Sequence, residues 1–257
     1  MRLVVKIGTS TITYNTGKIN YRRIDNLCKV VSDLRNSGVE VILVSSGAIG
    51  MGVGKLHLHK KPTDIATKQA AASVGQCELM YVYDRAFSEF NQTVSQILIT
   101  AEDVEIPLRL KNFRNTINKL LSLGVIPIIN ENDTVSVEEF GIGDNDTLSA
   151  IVAKSVNADL LVLLSDIDGL YTADPHKTRS AKLIEKVKEI DDKIVSLAKG
   201  KGSELATGGM ETKIKAAKIV TSAGTDMIIT NGANIENLYK IADGESVGTI
   251  FLGKRDN

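Results

Sequence analysis

Lys6 follows a short apolar run, Leu3-Val4-Val5, and leads directly into Gly8-Thr9-Ser10. Far along the chain a second glycine–lysine segment, Thr207-Gly208-Gly209-Met210-Glu211-Thr212-Lys213, opens a predicted helix. A lysine is a compact point charge, and a neighbouring glycine lets backbone N–H groups approach phosphate oxygens that a Cβ would hold away. The second segment adds the partial positive charge of a helix N-terminus. Phosphoryl transfer makes few covalent demands on a protein and large electrostatic ones. Two cationic loops therefore read first as a phosphate clamp. As a residue of such a loop, Lys213 is expected to be exposed and to contribute little to the core.

Three common nucleotide and nucleophile motifs are excluded. The run ending Gly54-Lys55 has Ile49 where a P-loop needs its first glycine, and Leu56 where it needs Ser or Thr. The same run fails G-x-G-x-x-G, because Gly50 and Gly52 lead to Lys55 rather than to glycine. Ser45 and Ser46 do not make a nucleophile elbow, since Val44 takes the place of its first glycine.

The elements that must carry these residues alternate between short β-rich runs and helical patterns, the signature of a mainly parallel sheet covered by helices. Strands are expected over Leu3–Ile7, Val39–Val44, Val94–Ile99, Val125–Ile129 and Asp159–Leu164, with two more near Met227–Thr230 and Thr249–Leu252. Asn20 is placed to cap a helix whose apolar positions Ile24, Leu27, Val30, Val31 and Leu34 keep helical spacing, with Gly38 as its stop. Further helices are expected over about Thr63–Phe90, over Arg109–Leu123, and from Asp144-Asn145-Asp146 to about Val156. Ser46 to Gly54 reads as a glycine-rich loop and Thr134 to Ile142 as a hairpin.

The chain has 257 residues, enough for one continuous core. Its 31 Lys+Arg balance 31 Asp+Glu, so no net field would recruit nucleic acid or an anionic membrane. The apolar runs, such as Leu160–Leu164, fall far short of the roughly 20 residues that span a bilayer. Arg2 and Lys6 come too early for a secretory signal, so a cytoplasmic protein is expected. Cys28 and Cys77 lie in helical, partly apolar segments and read as reduced core thiols. His57, His59 and His176 lack further ligands nearby and read as solvated loop residues rather than a metal site.

Five ordered segments complete the picture: Lys6-Ile7-Gly8-Thr9-Ser10, Ser45-Ser46-Gly47-Ala48-Ile49, Ile129-Asn130-Glu131-Asn132-Asp133, Gly143-Asp144-Asn145-Asp146 and Thr207 to Lys213. In this order, across essentially the whole chain, they resemble the amino acid kinase family, and within it the branch acting on L-glutamate. The resemblance implies a three-layer α/β/α sandwich with an open, mostly parallel central sheet. It also implies transfer of the γ-phosphoryl of ATP to the glutamate side-chain carboxylate, the first step of proline synthesis. Residues from 1 to about 157 would form the acceptor lobe and those from about 158 to 257 the nucleotide lobe.

The same resemblance assigns roles. Lys6 and Lys213 would flank the transferring phosphoryl, with Asp146 between the two ammonium groups. Ser46, Gly47, Asn130, Asp133 and Asn145 would bind glutamate, and an aspartate suits an ammonium. Lys6, Gly8, Ser165, Asp166, Thr207, Gly208, Gly209, Met210, Glu211, Thr212 and Lys213 would bind ATP, and Mg²⁺ would ride mainly on the ATP phosphates without a protein ligand. From the residues alone, Lys6 reads rather as a strand-end lysine reaching solvent and Asp146 as a helix N-cap, while Asp133 reads equally as a turn residue. Proline as a feedback inhibitor, a homo-oligomer and hand-over to the next enzyme are further expectations, and the small C-terminal RNA-modification-like domain of many relatives is expected to be absent. Relatives acting on N-acetylglutamate, aspartate or carbamate usually carry two glycines after the first lysine, where this chain has Gly8-Thr9. A non-catalytic amino acid sensor would have lost one of the charged trio.

Overall fold

Strand β1 (Arg2–Ile7) enters a single helical turn, α1 (Thr9–Ile12), and then α2 (Tyr21–Asn36). β2 (Glu40–Ser45) leads to α3 (Ala48–Lys55), the long α4 (Ile65–Ser88) and β3 (Val94–Ile99). Next come α5 (Ala101–Glu105), α6 (Pro107–Ser122), β4 (Ile126–Glu131), α7 (Asn145–Ser155) and β5 (Leu160–Ser165). The chain closes with β6 (Lys186–Val187), α8 (Asp192–Ala198), α9 (Met210–Thr221), β7 (Asp226–Asn231), α10 (Asn237–Ala242) and β8 (Thr249–Phe251). This is a computed structural model that describes residues 1–14, 18–60, 62–136, 144–175, 177–198 and 209–255.

The eight strands form one sheet in the order β3-β4-β2-β1-β5-β7-β8-β6. Every neighbouring pair is parallel except β7 and β8. Because side chains alternate across a strand, the sheet sorts its apolar residues into two cores. Leu3, Val5, Leu43, Ile128, Val162 and Leu164 face one way, toward α2, α4 and α10. Val4, Ile42, Val44, Ile129, Leu161 and Leu163 face the other, toward α6, α7 and α9. Both faces are thus covered, and the architecture is the expected α/β/α sandwich.

Local chemistry fixes the helix starts. Asn20 caps α2 by accepting from the Arg23 N–H, Asp64 caps α4 from Thr67, and Asp144 caps α7 from Thr147. Each leaves one fewer unsatisfied donor at its helix end.

The run Ser46–Gly54 departs from expectation, since most of it is α3 rather than loop. Three glycines in eight residues disfavour a helix by propensity, but packing against α4 overrides it. The glycines also permit the contact. A Cβ on Gly52 would run into the Ala71 carbonyl, and one on Gly75 into the Ala48 carbonyl, so the two helices meet backbone to backbone. The short elements α1, α5, β6, α8 and α10 carry too little periodicity to have been anticipated. Of the expected hairpin, Thr134 and Val135 lie in a turn, and 137–142 lie outside the described residues.

Cys28 is buried as expected, and burial followed by the Asp25 charge pushes its thiol well up. Cys77 is a correction, because it sits on the outer side of α4 and is exposed. His57 and His59 are exposed, while His176 lies outside the described residues.

Candidate active site

In a parallel sheet flanked by helices, strand C-termini and helix N-termini gather at one edge, where ligands bind. Here that edge collects the ends of β1, β2, β4 and β5 and the first turns of α7 and α9. Lys6 lies on the same face of β1 as Val4 and pairs in register with Val44 and Leu163, so its side chain rises toward α7 and α9 rather than toward α2. Those two helices pack against each other and carry Asp146 and Lys213 in their first turns.

The three side chains meet. Lys6 Nζ lies 2.8 Å from Asp146 Oδ1, and Lys213 Nζ lies 3.1 Å from Asp146 Oδ2. Both contacts are buried ion pairs, and that of Lys213 is also a hydrogen bond. The Thr212 hydroxyl adds a contact of 2.8 Å to Oδ2 while lying as close to the Gly209 carbonyl. All three charged residues are buried: Lys6 is 8% exposed, Asp146 1% and Lys213 5%. Burial would raise the carboxyl of Asp146, but the charges of Lys6 and then Lys213 outweigh it and hold the group down to about 2. Two corrections follow. Lys213 is an interior residue of a helix, not an exposed loop lysine, and Asp144 rather than Asp146 caps α7.

On the other side of β2 the exit Ser45-Ser46-Gly47 turns sharply. Ser46 N–H donates to the Ile7 carbonyl, and Gly47 adopts φ 105°, a left-handed conformation that a side chain would strain. Asn145 reaches across from α7, its Nδ2 within 2.8 Å of both the Ser45 carbonyl and Ser46 Oγ and 3.1 Å from Asn130 Oδ1. Asn145 Oδ1 accepts from none of the described residues. Asn130 Oδ1 also takes the N–H of Glu131 at 2.9 Å, and Asn130 Nδ2 donates to Gln76 Oε1 at 2.9 Å. Asp133 stands in the turn beyond β4, half-buried, its carboxyl pushed up to about 6 first by burial and then by the charge of Glu131.

The structure therefore brings Lys6, Asp146, Lys213 and Thr212 into one cluster and Ser46, Asn130 and Asn145 into a second. The adjacent residues Asn145 and Asp146 join the two. Gly8 closes β1 beside Lys6, where an added Cβ would come within 3.5 Å of the ammonium. Ser165 ends β5, and its hydroxyl donates to Asp166 at 3.1 Å; no contact joins this pair to the lysine cluster among the described residues. Gly209, Met210 and Glu211 open α9, whereas Thr207, Gly208 and Gly143 lie outside the described residues. A cavity of about 470 Å³ between β6 and α8, walled by Thr172, Ile184, Lys186, Val187, Ile194 and Leu197, includes none of the predicted site residues. Among the described residues no group of three or more His, Cys, Asp or Glu side chains could hold a metal.

Gln76 escaped the sequence reading, although a signal was present. It interrupts the apolar stripe Ala72, Leu79 and Tyr83 of α4 at helical spacing, and a buried amide there needs partners.

A family profile described as the amino acid kinase family matches residues 1–231, and this chain belongs to that family. Among its relatives, the glutamate 5-kinase of Clostridium tetani is 55% identical over 249 residues, 97% of this chain and 93% of that protein. The glutamate 5-kinase of Clostridium perfringens is 51% identical over 258 residues, covering 99% and 96%. The structure is also similar to a carbamate kinase from Giardia lamblia bound to AMP-PNP, with a TM-score of 0.70, 16% identity and 98% of both chains covered. At that identity the likeness speaks for the fold.

Proposed function

We propose that this chain is an ATP-dependent kinase that phosphorylates the side-chain carboxylate of L-glutamate, giving L-glutamyl 5-phosphate and ADP. The observation that carries the reading is the buried Lys6–Asp146–Lys213 cluster, set at the ligand-binding edge of the sheet. Similarity over nearly the full chain to glutamate 5-kinases supports the choice of acceptor.

A carboxylate oxygen of the substrate attacks the γ-phosphorus, the bond from phosphorus to the bridging oxygen breaks, and the electron pair leaves with ADP. The acceptor is already ionised near neutral pH, so no general base is required. What the protein supplies is position and charge. Lys6 and Lys213 approach the phosphoryl group from two elements, and Asp146 holds the ammonium groups apart and in place without neutralising both. The first turns of α7 and α9 add N–H dipoles of the same sign. Mg²⁺ fits as an ion carried on the nucleotide: among the described residues, the carboxylate of the lysine cluster, Asp146, is already committed to two ammonium groups. When bound, it would neutralise phosphate charge. Ser165, Asp166 and the residues leading into α9 would hold ATP from the C-terminal lobe.

On the acceptor side, Asp133 and the Oδ1 of Asn145 offer a charge and an acceptor to an α-ammonium, a pairing an acylated amine would satisfy poorly. No helix among the described residues is long and apolar enough to cross a membrane. The use of ATP and a free amino acid supports a cytoplasmic reaction.

The test is ATP-dependent turnover with L-glutamate, N-acetylglutamate and aspartate, the acyl phosphate being trapped as its hydroxamate. Turnover with L-glutamate is expected, and a clear preference for N-acetylglutamate would reject the assignment.

A pH profile checks the acceptor site. Asp133 is ionised above about 6 and neutral below, and only the ionised form attracts an ammonium. The KM for L-glutamate is expected to rise about tenfold between pH 7 and pH 5, with KM for ATP nearly flat, and Asp133→Asn should abolish the step while leaving KM high throughout. A KM for glutamate that ignores pH in the unaltered enzyme would remove Asp133 from the site. In stability the sign is opposite: the raised carboxyl favours the folded state below about 4, and that contribution is lost as pH rises through 6.

A further inference from the structure

The geometry points to Gln76, on the long helix α4, as a positioning residue that anchors Asn130 and, through it, steadies the Asn145 amide beside the acceptor amino acid; this rests on the glutamate-kinase reading above. Two backbone groups fix the direction of the amide chain. The Ser45 carbonyl can only accept, so the nitrogen of Asn145 faces it at 2.8 Å and the oxygen is turned away from it. The Glu131 N–H can only donate, so the oxygen of Asn130 faces it at 2.9 Å and the nitrogen faces α4. That nitrogen needs a buried acceptor, and Gln76 Oε1 supplies one at 2.9 Å. Gln76 Nε2 in turn points toward Gln96 Oε1 on β3, at a long 3.5 Å.

The chain of amides therefore runs in one sense from α4 through β4 to α7. Without an acceptor at position 76 the Asn130 NH₂ is left buried and unpaired, and turning the amide over would only set that NH₂ against the Glu131 N–H and the Asn145 NH₂, so the side chain shifts from its place instead. The contact of Asn145 Nδ2 with Asn130 Oδ1 loosens with it, leaving the Ser45 carbonyl and Ser46 Oγ to hold that amide. Gln76 is 8% exposed and Asn130 3%, so water is a poor substitute for the missing acceptor. The helix itself is rigidly placed, since Gly75, the preceding residue, lies against the backbone of α3. A second grip lies two turns earlier on the same face, where Gln69 Nε2 donates to the Ser136 carbonyl at 3.3 Å, at the far end of the turn holding Asp133.

The substitution that removes the acceptor while keeping apolar bulk is Gln76→Leu. It is expected to raise KM for L-glutamate about tenfold or more, to leave KM for ATP within about twofold, and to lower kcat by less than KM rises. Gln76→Glu keeps an acceptor oxygen toward Asn130 in either protonation state and should hold KM for glutamate within about threefold of the unaltered enzyme. A residue that merely fills space predicts a different pattern: loss of thermal stability in both variants, with the two KM values moving together or not at all.

Unaltered enzyme is assayed first by hydroxamate trapping. Failure to turn over L-glutamate there overturns the parent reading and this inference with it. Turnover in the unaltered enzyme together with an unchanged glutamate KM in Gln76→Leu overturns the inference alone. Should Gln76→Leu not fold, Gln76→Glu decides: retention of the glutamate KM supports the acceptor role, and a tenfold rise in it refutes that role.

Discussion

Asp146→Asn is expected to lower kcat by about 10²-fold or more and the melting temperature by roughly 10 °C. The side chain is 1% exposed and meets an ammonium group on each oxygen. Asparagine keeps one acceptor but turns an NH₂ toward the other lysine, leaving two buried ammonium groups with little between them. Breaking a buried pair in this way typically costs about 3–5 kcal/mol. The nucleotide should behave in the opposite sense, because its phosphates supply the charge that the carboxylate no longer does. ATP should therefore stabilise the variant against heat by more than it stabilises the unaltered enzyme. Acid unfolding provides a second readout. A carboxyl held down to about 2 contributes stability above its ordinary value near 3.8 and loses it as pH falls through 2, so the variant should lack that acid limb. Normal kcat and normal thermal stability in Asp146→Asn would contradict the role given to this residue.

Lys213→Met should lower kcat by about 10³-fold with KM for glutamate little changed, and Lys6→Met should do the same to within about tenfold. Methionine retains most of the apolar stem that each lysine packs in the interior, so the lost quantity is charge at the phosphoryl group. Because Lys213 is 5% exposed and bonded to Asp146, some stability goes with it, unlike the outcome for the exposed lysine that the sequence suggested. In the proposed mechanism the two lysines act on the same charge, so the double variant should fall well short of the product of the single effects. Steady-state rates on the three variants measure this. Near-normal kcat in either single variant would remove that lysine from the chemistry.

The legibility of this protein followed the physical origin of each feature. The longer sheet strands were readable because apolar residues flanked by turn signals have few other uses, and Val94–Ile99 appears with the expected bounds, whereas the two-residue β6 offered no such run. Caps such as Asn20 were readable because a polar side chain before an apolar period has a specific donor to satisfy. Helix α3 was not, because its glycines oppose helix locally and are required only once α4 lies against them. The same division holds in the site. Lys6, Asp146 and Lys213 were found as members of ordered motifs, but their meeting depends on side-chain alternation in β1 and on the pairing of α7 with α9, which no local window contains. The burial of Lys213 was missed for that reason. Gln76 was missed because its partner Asn130 lies 54 positions away, and a glutamine in a helix carries no mark of function until that partner is in place.

The most direct measurement is a crystal structure of the enzyme with L-glutamate, Mg²⁺, ADP and aluminium fluoride, the fluoride standing in for the phosphoryl group in flight. The account predicts Lys6 Nζ and Lys213 Nζ both within hydrogen-bond reach of the fluoride ligands, with Asp146 still between the two ammonium groups and the glutamate side-chain carboxylate in line with the leaving oxygen of ADP. A fluoride group bound away from Asp146, with either lysine directed into a separate cavity, would contradict it.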